Sequence, residues 1–493
     1  MQLYNSRTRK LETINPIDGV RIRIYTCGPT VYNFAHIGNF RAYIAADTLK
    51  RALIWRGFSV EHTMNITDVD DKMILNSHNT FPDKNPMQAL LEFGEIYTTA
   101  FWEDFKALKL LPPDHITKAI DYIPHMQSLI KTIITNGYAY EKGGSIYFDV
   151  QKYAQNFHYG ELVNIDIHKL KTDARIDSDE YDKENAQDFA LWKAQKDNEP
   201  CWQFQYKDKQ LPGRPGWHIE CSAMAQDTLG VPFDIHTGGV DLKFPHHEDE
   251  IAQSVIGYGV DTPVAIWMHN EHLMIEGEKM AKSKNNFYTF RDIVNKGYSP
   301  QAIRYVLLAT HYRQPLNFTF DGLTAAQEAI HRIEEVIYQS DHALIREEQA
   351  TETEQLLGFA KTQITEALDD DLNISQTFGV LFDTIKKINT QKLYGQPVIE
   401  WLDDLNAILG ILRIRSTANQ SKTLARTAHA SQPIIKIKTI DTDSELQFLL
   451  AQRKQARDEK NFELADTLRA QIEAQFSVEL RDTPQDQQIK PKT

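Results

Sequence analysis

The stretch RIRIYTCGPTVYNFAHIGN, residues 21–39, constrains the fold more than any other part of the chain. RIRIYTC alternates apolar and polar residues, which reads as a strand ending at Cys27. GPT turns the chain. From about Asn33 to Trp55 the apolar residues Phe34, Ile37, Ala45, Leu49, Ala52 and Leu53 recur at helical spacing, with Gly57 beyond them as a stop. FSVEHTMNITDV reads as a second strand. Strand, helix, strand, with a loop at the first strand's C-terminal end, opens a doubly wound parallel α/β domain, and ligands of such sheets gather at that end.

A chain of 493 residues is too long for one core. We expect a Rossmann-like α/β catalytic domain over 1–317 with an insertion at about 114–211. Core strands return at FDIH and PVAIWMHNEHLMI. Beyond Pro300 the spacing turns helical, predicting a helix bundle over 318–414. RSTANQSKTLARTAHASQP suggests a linker at 415–440, and 441–493 forms a small C-terminal segment of two helices broken near Asn461, with a disordered tail QDQQIKPKT. No apolar run is long enough to span a membrane, the N-terminus lacks a signal-peptide core, and three cysteines are too few for a disulfide framework. These features point to the cytoplasm. The net charge of −14 argues against a general nucleic-acid coat but leaves room for a specific RNA partner.

No Walker-type loop occurs, so phosphate would be handled elsewhere. In HIGN, Gly38 would let a nucleotide approach a helix N-terminus, with His36 and Asn39 as hydrogen-bonding groups. A buried histidine beside a packing glycine fits the same residues. In KMAKS, Lys279 and Lys282 could clamp a polyphosphate and offset charge in a transition state. A solvated basic loop is the plainer reading.

FPHHEDEIAQS places His246 and Glu250 four apart, on one helical face opened by Pro245. PGWHIECSAM supplies Cys221 one turn after Trp217, and Cys27 ends the first strand. Two thiolates, an imidazole and a carboxylate would suit a tetrahedral zinc site, although buried structural cysteines fit the spacing as well. The absence of H-E-x-x-H disfavours a zincin hydrolase.

HIGN and KMAKS resemble the two signatures of class I aminoacyl-tRNA synthetases, departing from the usual forms at Asn39 and Ala281. With CGPTVYNFAHIGN, NITDVDDKM, DFALWK, PGRPGWHIECSAM, DIHTGGVDLKFPHHEDEIAQS, EKMAKSKNN and THYRQPLNF, the chain resembles the cysteinyl-tRNA synthetase family over most of residues 20–320. The resemblance implies one Zn²⁺ per chain on Cys27, Cys221, His246 and Glu250, taking the substrate thiolate as a further ligand. It implies Thr67, Trp217 and His236 around L-cysteine, with ATP and its Mg²⁺ at His36, Gly38, Asn39, Lys279 and Lys282. It also implies tRNA(Cys) as partner, a monomeric working state, and an anticodon-binding C-terminal segment in which Arg457, Phe462 and Asp466 are candidate contacts. Cys201 matches no ligand position. Three other readings share some of these features: an ATP-dependent ligase joining cysteine to an amino sugar, a synthetase-derived RNA-binding protein, and a zinc hydrolase using Glu248 to activate water.

Overall fold

The computed structural model describes residues 1–164, 187–280, 286–343 and 347–412, with residues 453 and 469 and the segments 478–482 and 487–491. The chain divides into two units, Met1–Arg415 and Ser416–Thr493.

The core of the first unit is a five-stranded sheet in the order Val264–Asn270, Phe233–Gly239, Arg21–Thr26, Ser59–Ile66, His115–Lys118, and every neighbouring pair is parallel. The first strand in sequence lies in the middle. The chain moves outward from it through the helix Ile37–Trp55 and the strand Ser59–Ile66, then returns to lay Phe233–Gly239 on its other side. That reversal is the topological switch point of a doubly wound sheet, where the crevice beyond the strand ends takes ligands. Cys27, directly after one of the two strands that flank it, and His236, on the other, stand there.

The expected insertion differs in extent and in kind. His115–Lys118 belongs to the central parallel sheet, and the helix Ile123–Thr135 follows it. The added layer is an antiparallel five-stranded sheet of Ala139–Lys142, Ser145–Phe148, Phe189–Ala194, Trp202–Tyr206 and Lys209–Pro215. Its strands are four to seven residues long, too short to announce a period in sequence.

An N-terminal hairpin, Gln2–Asn5 with Lys10–Thr13, covers the sheet edge. Asn5 fastens it there, accepting from Trp267 N–H at 3.1 Å and donating to the Ala265 carbonyl at 2.9 Å. Helices Phe320–His342, Glu347–Asp369, Ile374–Gln391 and Gln396–Leu409 form the bundle. A buried knot joins it to the α/β layer: Arg304 donates to Asp47 Oδ2 at 2.5 Å, to the Leu409 carbonyl at 2.6 Å and to the Leu108 carbonyl at 3.0 Å.

In the second unit Val478–Asp482 pairs antiparallel with Gln487–Pro491. Part of the tail expected to be disordered, Gln487–Pro491, therefore forms a strand, its backbone paired with Val478–Asp482. The linker and the two predicted helices lie outside the described residues, apart from residues 453 and 469.

Candidate metal centre and active site

Cys27 follows directly on the strand Arg21–Thr26, and its N–H reaches the Thr237 carbonyl at 3.4 Å. The next residue must be glycine: a Cβ on Gly28 would lie 1.6 Å from the Asn65 carbonyl oxygen. That close approach lets Gly28 N–H donate to Asn65 Oδ1 at 2.8 Å. Cys221 lies in the first turn of the helix Ile219–Leu229. His246 lies in a wide helical turn, Lys243–His247, kinked at Phe244, and Glu250 in the first turn of the helix Glu248–Tyr258. The regular helix thus begins later than Pro245, yet the pair still meets, His246 Nε2 lying 3.1 Å from Glu250 Oε1.

Four candidate ligands of three types converge here. Cys27 Sγ is 3.8 Å from Cys221 Sγ, 3.7 Å from His246 Nε2 and 3.9 Å from Glu250 Oε1. Cys221 Sγ is 3.6 Å from His246 Nε2. A tetrahedral zinc with bonds of about 2.0–2.3 Å sets its ligand atoms about 3.3–3.8 Å apart, so these separations fit one ion. A second group, Cys27, His236, His247 and Glu250, is equally compact but shares Cys27 and Glu250 with the first, so the cluster is one centre. Two sulfurs in the first group favour a thiophilic metal.

The electrostatics are those of a charged cluster. Burial pushes the Cys27 thiol up, aided by Cys221. The hydrogen bond from Cys27 brings the Cys221 thiol down to about 6 against burial, with His246 assisting. Burial opposes charge on Glu250, but His236 and His246 hold it down to about 2. Burial likewise opposes charge on His246, yet Cys221 and Glu250 raise it to about 10. A dication bound among these groups would displace their protons.

A second layer orients the ligands. His236 Nε2 lies 2.9 Å from Glu250 Oε2, and His218 Nδ1 lies 3.0 Å from His246 Nδ1. The Trp217 ring stacks on His246 at 4.2 Å, and His236 stacks on Trp267 at 4.6 Å. Trp217 precedes the helix cap His218, so it reaches His246 from a turn, not from a helix face. Thr67 joins the Cys27 loop through its N–H to the Pro29 carbonyl at 3.0 Å. Its hydroxyl donates to Glu220 Oε2 at 2.7 Å and accepts from Asn65 Nδ2 at 3.2 Å.

The helix predicted from about Asn33 begins at Ile37, because His36 caps it. His36 Nδ1 accepts from Asn39 N–H and Asn39 Oδ1 accepts from His36 N–H, both at 3.1 Å. This reciprocal box anchors the helix N-terminus. It engages one side-chain atom of each residue, and the Asn39 amide nitrogen lies outside it. Lys279 closes a short exposed strand, Glu278–Lys279. The loop is tied to the helix start by Ile37 N–H on the Tyr288 carbonyl at 3.1 Å and by the His36 and Phe287 rings at 5.2 Å. Ala281 and Lys282 lie outside the described residues, as do Arg457, Phe462 and Asp466.

Glu248 has a different role from the one considered for a hydrolase. Its carboxylate accepts from the backbone N–H groups of Gly160, Glu161 and Leu162 at 2.6, 2.9 and 3.1 Å. It anchors a loop and is not posed as a base at the metal centre. Sequence reasoning passed over His247, whose Nε2 lies 3.4 Å from Cys27 Sγ, and Glu220. The doubled histidine of FPHHEDE was the available signal for the first. Cys201 is in neither metal-capable group.

Residues 13–328 match the family model described as tRNA synthetases class I (C) catalytic domain, and residues 363–413 match the DALR domain. The chain is 40% identical to a cysteine--tRNA ligase of Brachyspira hyodysenteriae, covering 99% of each chain. It is 40% identical to one of Leptospira interrogans (96% of each) and 39% identical to one of Protochlamydia amoebophila (99% of this chain, 98% of the relative). Among solved structures, the fold is similar to a leucyl-tRNA synthetase of Agrobacterium radiobacter in a ternary complex (TM-score 0.58, 11% identity, 84% of this chain and 86% of that one). It is also similar to Mycobacterium tuberculosis methionyl-tRNA synthetase (TM-score 0.54, 12% identity, 83% and 88%).

Proposed function

The chain belongs to the cysteine--tRNA ligase family, and on that premise we propose how its residues divide the work. The enzyme joins cysteine to tRNA in two halves: ATP converts the amino acid to cysteinyl-adenylate with release of pyrophosphate, and the tRNA 3′ end then takes the aminoacyl group. The observation that carries the assignment of residues is the buried set Cys27, Cys221, His246 and Glu250 at the sheet's switch point.

We assign these four to one Zn²⁺. When bound, it supplies thiophilic Lewis acidity that a cysteine side chain satisfies and a serine alcohol does not, which size alone could not achieve. Glu250 is oriented by His236 and His246 by Trp217, so those two hold the ligands while lining the amino-acid side of the crevice. Thr67, with its proton directed to Glu220, presents an oxygen that can accept from the substrate ammonium.

At the neighbouring helix N-terminus the Gly38 N–H and the positive end of the helix dipole face the phosphates of ATP, and Gly38, lacking a side chain, permits their approach. His36 and the Asn39 amide nitrogen donate to the charge that grows as the cysteine carboxylate attacks the α-phosphorus. Lys279 and Lys282 hold the departing pyrophosphate, and Mg²⁺ accompanies ATP. We assign tRNA(Cys) recognition in part to the 441–493 segment through Arg457, Phe462 and Asp466, by guanine-edge contact and stacking. Among the described residues no helix is long and apolar enough to cross a membrane. A single chain working in the cytoplasm is the proposed state.

The test is charging of total tRNA with labelled cysteine, with serine and a chelator-treated sample alongside. Cysteine-dependent charging that falls on chelation supports the reading. Cysteine-dependent ATP–pyrophosphate exchange without charging would overturn the acceptor assignment and favour a small-molecule ligase.

A further inference from the structure

Behind the metal centre runs a chain of three side chains that the activity above does not call on. Ser6 Oγ lies 2.8 Å from His269 Nδ1, His269 Nε2 lies 2.8 Å from His247 Nδ1, and His247 Nε2 lies 3.4 Å from Cys27 Sγ. All three are buried. The nearest carboxylate oxygen to His247 Nε2, Glu250 Oε1, is 4.0 Å away, beyond hydrogen-bond reach, so the sulfur is its partner. Ser6 is fixed independently, its N–H donating to the Trp267 carbonyl at 2.9 Å within the hairpin that Asn5 fastens.

We propose that Ser6, His269 and His247 form a directed hydrogen-bond relay whose end donor, His247 Nε2–H, positions and moderates the Cys27 thiolate as a metal ligand. The direction follows from the donor inventory. A thiolate can only accept, so His247 must carry its proton on Nε2 and accept at Nδ1. His269 must then donate from Nε2 and accept at Nδ1, which leaves the Ser6 hydroxyl as donor. One end of the chain sets the tautomer of every member.

The consequence is electrostatic. Two thiolates and a carboxylate around a dication already leave the centre negative, and a substrate thiolate adds another charge. A buried N–H aimed at Cys27 withdraws part of that charge, and outer-shell donors of this kind typically alter metal affinity about 10–100-fold when removed. This inference rests on the metal reading of the site.

The experiment uses full-length protein loaded with Co²⁺ or Zn²⁺, measuring sulfur-to-cobalt charge-transfer absorption and zinc affinity by chelator competition. His247→Leu should shift the charge-transfer band and weaken zinc about 10–100-fold while leaving one metal bound at saturation. His247→Gln, which can carry an N–H to the Nε2 position, should recover most of both, and Ser6→Ala should show a smaller shift of the same sign. An unchanged band and affinity in His247→Leu would overturn the relay, as would a Gln variant no better than Leu. Complete loss of the metal in His247→Leu would also overturn it, making His247 a ligand. If that variant fails to fold, His269→Gln and Ser6→Ala decide by the same two readouts. A wild-type protein with no thiolate-to-cobalt absorption would instead remove the metal reading itself.

Discussion

Gly38 lies against Met280: a methyl group added at Gly38 would stand 3.2 Å from Met280 Cε and 2.9 Å from His36 Nδ1. The two signatures that sit far apart in sequence are therefore in contact where the helix Ile37–Trp55 begins. Gly38→Ala should disturb both at once. The expected result is a fall of at least about tenfold in kcat/KM for ATP in pyrophosphate exchange, equivalent to about 1.4 kcal/mol. Unchanged ATP kinetics would show that neither the box nor the loop contact matters to activation.

Cys221→Ser should remove one thiolate from the centre. Its expected signature is loss of stoichiometric zinc together with cysteine-dependent exchange, while the melting temperature of the remainder changes far less. Zinc content by atomic absorption, read beside exchange, checks this. Full zinc with full activity would exclude Cys221 as a ligand.

Asp47 ties three elements together, accepting from Arg304 at 2.5 Å, Arg51 at 2.7 Å and the Leu111 N–H at 2.7 Å. Burial opposes its charge, but Arg51 and Arg304 outweigh it and hold its carboxyl below the usual value of 3.8. A depressed carboxyl pKa stabilises the fold above the unfolded value and loses that effect as pH falls through the folded one. Removing one partner of such a buried pair costs about 3–5 kcal/mol. Asp47→Asn should therefore melt well below wild type, by an amount that is constant from pH 7 to about pH 5 and shrinks as the pH drops through the carboxylate range. A gap that widens in acid would reverse the sign assigned here.

Glu248→Ala should free the N–H groups of Gly160, Glu161 and Leu162. Each stranded donor costs about 1–3 kcal/mol if the loop stays in place, so the loop should loosen instead. Hydrogen exchange at residues 160–162 is expected to accelerate by at least about tenfold with zinc still bound. Loss of zinc without faster exchange would return Glu248 to the metal centre.

The strand–helix–strand opening and the meeting of His246 with Glu250 were legible in the sequence, for a physical reason. A six-residue alternating strand, a glycine turn and a capped helix are local signals, and His246 with Glu250 is a local spacing. Cys27 and Cys221 were candidates from their positions, but no local rule joins them to that pair, and it was the family resemblance that grouped the four. The capping role of Asn39 could have been read from H-x-x-N, a polar pair at box spacing, but a histidine cap is an uncommon one. The tertiary structure decided the rest. His115–Lys118 is a sheet strand only because Ser59–Ile66 offers it an edge, and the antiparallel layer has strands too short to show a period. The link from Ser6 through His269 and His247 to Cys27 spans three separate segments of chain. Hydrogen bonds depend on where atoms meet in space, and that meeting is set by the twist and order of the whole sheet, which no window of sequence contains.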